Sequence, residues 1–181
     1  IGELEELLIG EDPTRIEYLC QVMQRQKFWR GGVVKGSAVA GIELALWDIL
    51  GKIRGVPVYR LFGGPCRTKI RVYANGWTGG ATDPAEIRDR LAEVKEWGYQ
   101  AFKFSISKPS WPLYDPAVTR TIAKAAEAIR ETIGEEDLLM FDGHGRYDTE
   151  SAIAVGRALE PYRLTFFEEP VPQVDEKAMA R

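Results

Sequence analysis

Gln100-Ala101-Phe102-Lys103-Phe104 and Leu138-Leu139-Met140-Phe141 are short apolar runs with a helical segment between them. Asp115-Pro116 opens that segment, with Pro at the first helical position, where its missing N–H costs nothing. Val118, Ile122, Ala125 and Ile129 follow on one helical face, and Gly134 closes it. Strands this apolar along their whole length are buried on both faces. That pattern belongs to a parallel sheet joined by crossover helices.

The same alternation extends in both directions. Upstream, Lys69-Ile70-Arg71-Val72-Tyr73-Ala74 reads as a first strand, and Asp83-Pro84 opens a helix with Ile87, Leu91 and Val94 on one face, closed by Gly98. Downstream, Asp148 or Thr149 caps a helix that Pro161 ends, and Leu164-Thr165-Phe166-Phe167 reads as a fourth strand. Such units build either an open doubly wound sheet or a closed eightfold (β/α) barrel. Asn75-Gly76-Trp77-Thr78-Gly79-Gly80 lacks the Gly-x-Gly-x-x-Gly spacing of a dinucleotide fold. A barrel takes about 250 residues, so residues 68–181, with four strands, would make the first half of one. The chain begins at Ile1 and stops at Arg181 inside what reads as a helix opening, so a fragment of a longer protein is expected.

Residues 1–67 are different, and read as mostly helical. Asp12-Pro13 is a helix start and the segment runs to about Gln26 before Arg30-Gly31-Gly32 breaks it. Ser37 is positioned to cap the next helix. Val39, Ile42, Leu46, Ile49 and Ile53 form its apolar stripe, and Gly55 and Pro57 stop it. The turn-rich Leu61-Phe62-Gly63-Gly64-Pro65 marks a boundary between two domains, 1–67 and 68–181.

Composition narrows the function. Of 181 residues, 45% are hydrophobic and 28% charged, which is globular composition. No apolar run approaches the roughly 20 residues of a membrane span. A net charge of -3 gives no basic excess for nucleic acid. Cys20 and Cys66 match no metal-ligand spacing and are expected as reduced thiols of a cytoplasmic protein.

Ligands of parallel α/β folds bind at the carboxyl ends of the strands. Lys103 and Ser105 end the second strand, Asp142 the third, and Glu168-Glu169 the fourth. Two carboxylates meeting at a strand mouth repel unless a cation lies between them, and oxygen ligands suit a hard cation such as Mg2+. His144, the one histidine, follows Asp142 in a glycine-flanked loop and suits general acid or base work. Arg146 suits an anion clamp, Lys103 a contact to a substrate carboxylate, and Trp77 a pocket wall.

Three stretches together resemble the enolase superfamily, in its mandelate racemase and muconate-lactonizing type. Ser37 to Lys52, continuing through Gly55-Val56-Pro57-Val58-Tyr59 and Leu61-Phe62-Gly63-Gly64, is similar to the last helices of that family's capping domain. Phe141-Asp142-Gly143-His144-Gly145-Arg146 and Phe166-Phe167-Glu168-Glu169-Pro170 resemble the ends of its third and fourth barrel strands. The resemblance implies an α+β capping domain and a barrel that binds Mg2+ through three carboxylates. Asp142 would be the first ligand and Glu168 the second, with the third on a later strand. The family's Lys-x-Lys on the second strand is here Lys103-Phe104-Ser105, so the lysine base is missing. Asp-x-His-Gly-Arg instead resembles the acid-sugar dehydratases of the galactonate type, which implies His144 as general acid.

The implied reaction is dehydration of a sugar acid to a 2-keto-3-deoxy acid. A proton next to the carboxylate is removed, Mg2+ offsets the charge of the enediolate, and His144 protonates the departing 3-hydroxyl. The resemblance also implies a homo-oligomer as full-length protein and a small-molecule partner, while the charge balance and the short apolar runs argue against a nucleic-acid or membrane partner. The alternatives are a racemase, epimerase or other lyase of the same superfamily, and a catalytically incomplete fragment with no activity of its own.

Overall fold

A computed structural model describes residues 2–26, 28, 31–106 and 115–180. The chain divides into two compact units, Ile1–Ile70 and Arg71–Arg181. The first is helical: α1 (Gly2–Glu5), α2 (Ile16–Arg25), α3 (Val33–Arg54) and α4 (Val58–Leu61). Asp12-Pro13 does not open a helix. Asp12 Oδ1 accepts bonds from Thr14 N at 2.8 Å and Thr14 Oγ1 at 2.7 Å, which locks a turn and delays α2 to Ile16. Ser37 is not a cap either, because α3 starts one turn earlier, at Val33 after Gly32. Gly55 ends α3 in the left-handed region at φ 67°, as a C-terminal glycine should.

Leu4, Ile16, Leu19, Cys20, Met23, Val39 and Leu46 form the core of this unit. The apolar stripe of α3 is only partly used: Ile49 and Ile53 are 38% and 60% exposed. Length explains this. At about 1.5 Å per residue, the 10 residues of α2 cover less than half of the 22 residues of α3.

The second unit is α5 (Pro84–Glu96), β1 (Ala101–Phe104), α6 (Pro116–Ile133), β2 (Leu138–Asp142), α7 (Thr149–Leu159), a 3-10 turn (Glu160–Tyr162), β3 (Phe166–Glu168) and α8 (Glu176–Met179). Asp83 and Asp115 cap α5 and α6 with Pro at the next position. Asp148, rather than Thr149, caps α7 by accepting from Ser151 N at 2.8 Å. The three strands are parallel in the order β1-β2-β3, as the apolar runs predict. The first expected strand shrinks to one bridge. Ala74 pairs with Phe102, while Ile70 and Val72 stay 77% and 62% exposed. With charges at Lys69 and Arg71 and no apolar cover over Ile70 and Val72, residues 69–73 have little burial to stabilise a ladder.

The sheet's period-2 alternation separates its two faces. Phe102, Phe104, Leu139 and Phe141 turn to the helices, where Ile87, Leu91, Ile122, Ile129 and Leu159 are also almost fully buried. Each such side chain contributes about 1.5–3 kcal/mol. Phe104, Phe141 and Phe167 stack across the three strands, with centroids 4.9 and 5.3 Å apart. Arg130 fastens the far end of this unit. Its guanidinium donates to the carbonyls of Gly134, Asp137, Tyr162 and Arg163, joining the end of α6 to the approach to β3. Among the described residues, no helix is long and apolar enough to cross a membrane.

Candidate metal centre

The face opposite the helices carries Lys103, Asp142 and Glu168. Parallel strands align their carboxyl ends at one rim, and the register sets Asp142 beside Glu168 and Lys103 beside Met140. Lys103 therefore starts two positions short of Asp142, and its long stem covers the difference. Its Nζ donates to Asp142 Oδ2 at 3.0 Å and to Glu168 Oε2 at 2.6 Å. The cation that the two carboxylates require is supplied, in this structure, by the chain itself.

Burial sharpens the arrangement. Lys103 and Asp142 are 6% and 7% exposed. A lysine this buried is costly unless paired, and two carboxylates pair it. Burial alone would lower the Lys103 pKa, but Glu168 and Asp142 outweigh it and raise it. Burial alone would raise the Asp142 carboxyl. The His144 N–H and the Lys103 ammonium outweigh that and hold it below the usual carboxylate value. The ammonium also lies 5.3 Å from the ring centre of Tyr73, a cation–π distance.

The loop after β2 is built by backbone bonds. Asp142 Oδ1 accepts from His144 N at 2.9 Å, closing a side-chain turn. Gly143 N donates to Glu168 O at 2.8 Å and Gly145 N to Glu169 O at 2.7 Å. These bonds tie the loop after β2 to the loop after β3. A Cβ on Gly143 would stand 2.8 Å from Glu169 O, so only glycine allows this approach. His144 and Glu169 both take positive φ, 52° and 40°. The Glu168-Glu169 pair is thereby split. Glu168 turns to the site, while Glu169 Oε1 accepts a bond from Gln173 Nε2.

The other expected site residues fall as follows. His144 Nε2 lies 3.4 Å from Asp142 Oδ2, and the ring is 43% exposed. Arg146 is exposed on the same loop; its backbone N donates to Gly143 O at 3.2 Å, while its side chain makes no hydrogen bond or ion pair among the described residues. Trp77 packs edge-on against Phe102 and donates from Nε1 to Lys103 O at 2.9 Å, so it holds the lysine's backbone. Tyr73 was not singled out from sequence. Its alternation with Ala74, which shares the helix-side face of Phe102, is the signal that would have placed it beside Lys103.

Asp142 and Glu168 offer two oxygens to one cation position, and carboxylate oxygens are the ligands of hard divalent ions. The donor set fits Mg2+ in kind. Among the described residues no group of three or more His, Cys, Asp or Glu gathers to hold a metal.

Comparison with known proteins gives a consistent result. Residues 86–181 match the family described as "Enolase C-terminal domain-like". Residues 2–63 match the N-terminal domain of the mandelate racemase/muconate lactonizing enzyme family. A candidate dehydratase of known structure from Mesorhizobium loti is 35% identical, with 98% of this chain aligned and a TM-score of 0.89. An enolase from Pantoea ananatis, solved with bound D-gluconate and Mg, is 30% identical over 97% of the chain, with a TM-score of 0.77. A candidate galactarate dehydratase from Agrobacterium radiobacter, bound to Na and L-malate, is 34% identical over 94%, with a TM-score of 0.76. The alignments span 50%, 49% and 43% of those proteins, so this chain covers about half their length.

Proposed function

The chain belongs to the mandelate racemase/muconate lactonizing enzyme family of the enolase superfamily, and from that premise we propose that it carries part of the active site of a Mg2+-dependent acid-sugar dehydratase. One observation carries the reading. Asp142 and Glu168 converge on a single cation position, and the His144 ring stands against the same Asp142 carboxylate. A metal pair alone would suit many reactions. A histidine beside it, in place of the second-strand lysine base, favours elimination. The D-gluconate and Mg bound by the Pantoea ananatis relative support an aldonate as substrate class.

Asp142 and Glu168 would hold the Mg2+. When bound, the ion offsets the negative charge that develops as the proton beside the substrate carboxylate is removed. Lys103 and Arg146 bind the anionic end of the substrate, and Trp77 keeps the Lys103 backbone in place. With Nε2 turned to Asp142, His144 delivers its proton from Nδ1 to the departing 3-hydroxyl. Water leaves, and the product is a 2-keto-3-deoxy acid. His144 is the only histidine in the sequence, so a base of the same type would come from residues beyond these 181.

The test is an acid-sugar screen on the full-length protein, with Mg2+ and with chelator, detecting 2-keto-3-deoxy product. Magnesium-dependent loss of water from one aldonate supports the reading and names the substrate. An epimer formed without loss of water replaces it with epimerase chemistry. His144→Asn is expected to cut dehydration roughly 10²–10⁴-fold, the range of a lost general acid, with Mg2+ binding intact. Undiminished turnover in that variant removes His144 from the mechanism.

A further inference from the structure

Resting on the metal-centre reading above, we propose that Lys103 is the site's internal competitor for the metal: its ammonium holds the place between Asp142 and Glu168, must leave when a divalent ion arrives, and so sets how tightly that ion is bound. The geometry is direct. The ammonium bonds Asp142 Oδ2 at 3.0 Å and Glu168 Oε2 at 2.6 Å, one oxygen from each carboxylate. An ion taking those same two oxygens would face a second cation at contact distance, so the two arrangements exclude each other.

The surroundings fit a side chain that moves while its backbone stays. Lys103 N donates to Ala74 O at 2.9 Å, and Lys103 O accepts from Trp77 Nε1 at 2.9 Å. These bonds fix the strand. The lysine stem beyond Cβ makes no bond until Nζ, so it can swing without disturbing β1. The Tyr73 ring, 5.3 Å from Nζ and 40% exposed, is a resting place for the displaced charge. Charge counting gives the consequence. Two carboxylates and one ammonium leave a single net negative charge, so the metal-free site is paired rather than self-repelling. Without the lysine, two buried or half-buried carboxylates would repel, and a divalent ion would be held far more firmly.

The experiment measures Mg2+ and Mn2+ binding by calorimetry on the full-length protein, wild type against Lys103→Met. Loss of two charge-assisted bonds that compete with the metal is expected to tighten the ion roughly tenfold or more. The metal-free variant should melt lower than wild type and gain more from added metal. An affinity equal to or weaker than wild type overturns the proposal. Should the variant not fold, the wild type decides alone. With lysine labelled at ¹³Cε, the Lys103 resonance should shift on metal saturation, and an unmoved resonance also overturns the proposal. A wild type that binds no divalent ion removes the metal reading itself, an outcome distinct from a metal that binds without disturbing Lys103.

Discussion

Gly143 shows how little room the site leaves. Its ideal Cβ would meet Glu169 O at 2.8 Å, Pro170 Cα at 3.1 Å and Tyr147 Cε2 at 3.1 Å, two of them backbone atoms. Gly143→Ala must push the two loops apart, at about 1–3 kcal/mol, the usual cost of overpacking. A thermal melt checks it, and an unshifted melting temperature would mean that the loops give way freely. Tyr147, beside it, is 6% exposed, and burial pushes its hydroxyl up to about 12. The folded protein therefore keeps the Tyr147 proton where the unfolded chain gives it up. Stability from this residue is complete below pH 10, the ordinary value, and falls between pH 10 and 12 by about 1.4 kcal/mol per pH unit. Tyr147→Phe should flatten that slope in alkaline denaturant titrations. A slope unchanged by the substitution would assign the alkaline loss to other groups.

Elements respond to different forces. Asp115 caps α6 by accepting from Ala117 N at 2.8 Å, so Asp115→Ala should cost about 1 kcal/mol. Ile129, on the buried face of the same helix, has no exposed surface, and Ile129→Ala should cost about 2–5 kcal/mol. Chemical denaturation of both variants separates them, and an equal loss would deny α6 its place in the core. Elements such as α6 were legible because cap, proline, apolar stripe and closing glycine all agree over 18 residues. Signals were misread where one local cue stood alone. Asp12-Pro13 proved a closed turn, and Ser37 lay inside a helix that propagated past it. The short strand at 69–74 failed for another reason, since ladder formation depends on cover that the local sequence does not state. At the site, alternation and strand ends predict that Asp142 and Glu168 share one rim, and the register sets them side by side. That Lys103 bridges both carboxylates was not readable, because it depends on the inter-strand register and on stem length.

On the scale of the molecule, each unit has its own core, and each leaves apolar surface in water. In the first, α3 shows Leu44 and Ile53, 71% and 60% exposed. In the second, Val72, Tyr73 and Phe166 are 62%, 40% and 40% exposed. Among the described residues β3 pairs only with β2, so its other edge offers free backbone groups. The 181 residues expressed alone are expected to bind a hydrophobic dye and to elute above 20.3 kDa on size exclusion. A dye-silent species of monomer size would show that these surfaces do not drive association.

The bonds that tie the β2 and β3 loops run through main-chain atoms, Gly143 N and Gly145 N donating to the carbonyls of Glu168 and Glu169, and within the β2 loop His144 N adds one more. Only the Asp142 carboxylate enters from a side chain. The frame that aims the two carboxylates is thus indifferent to which side chain projects at 144 or 146. Evolution can rewrite the chemistry there without rebuilding the cradle. The one restriction is conformational: φ of 52° at 144 admits His, Asn, Asp or Gly far more readily than a β-branched residue. Descendants of this loop have a short alphabet at 144, and within it they can exchange a proton donor for an inert amide in a single step.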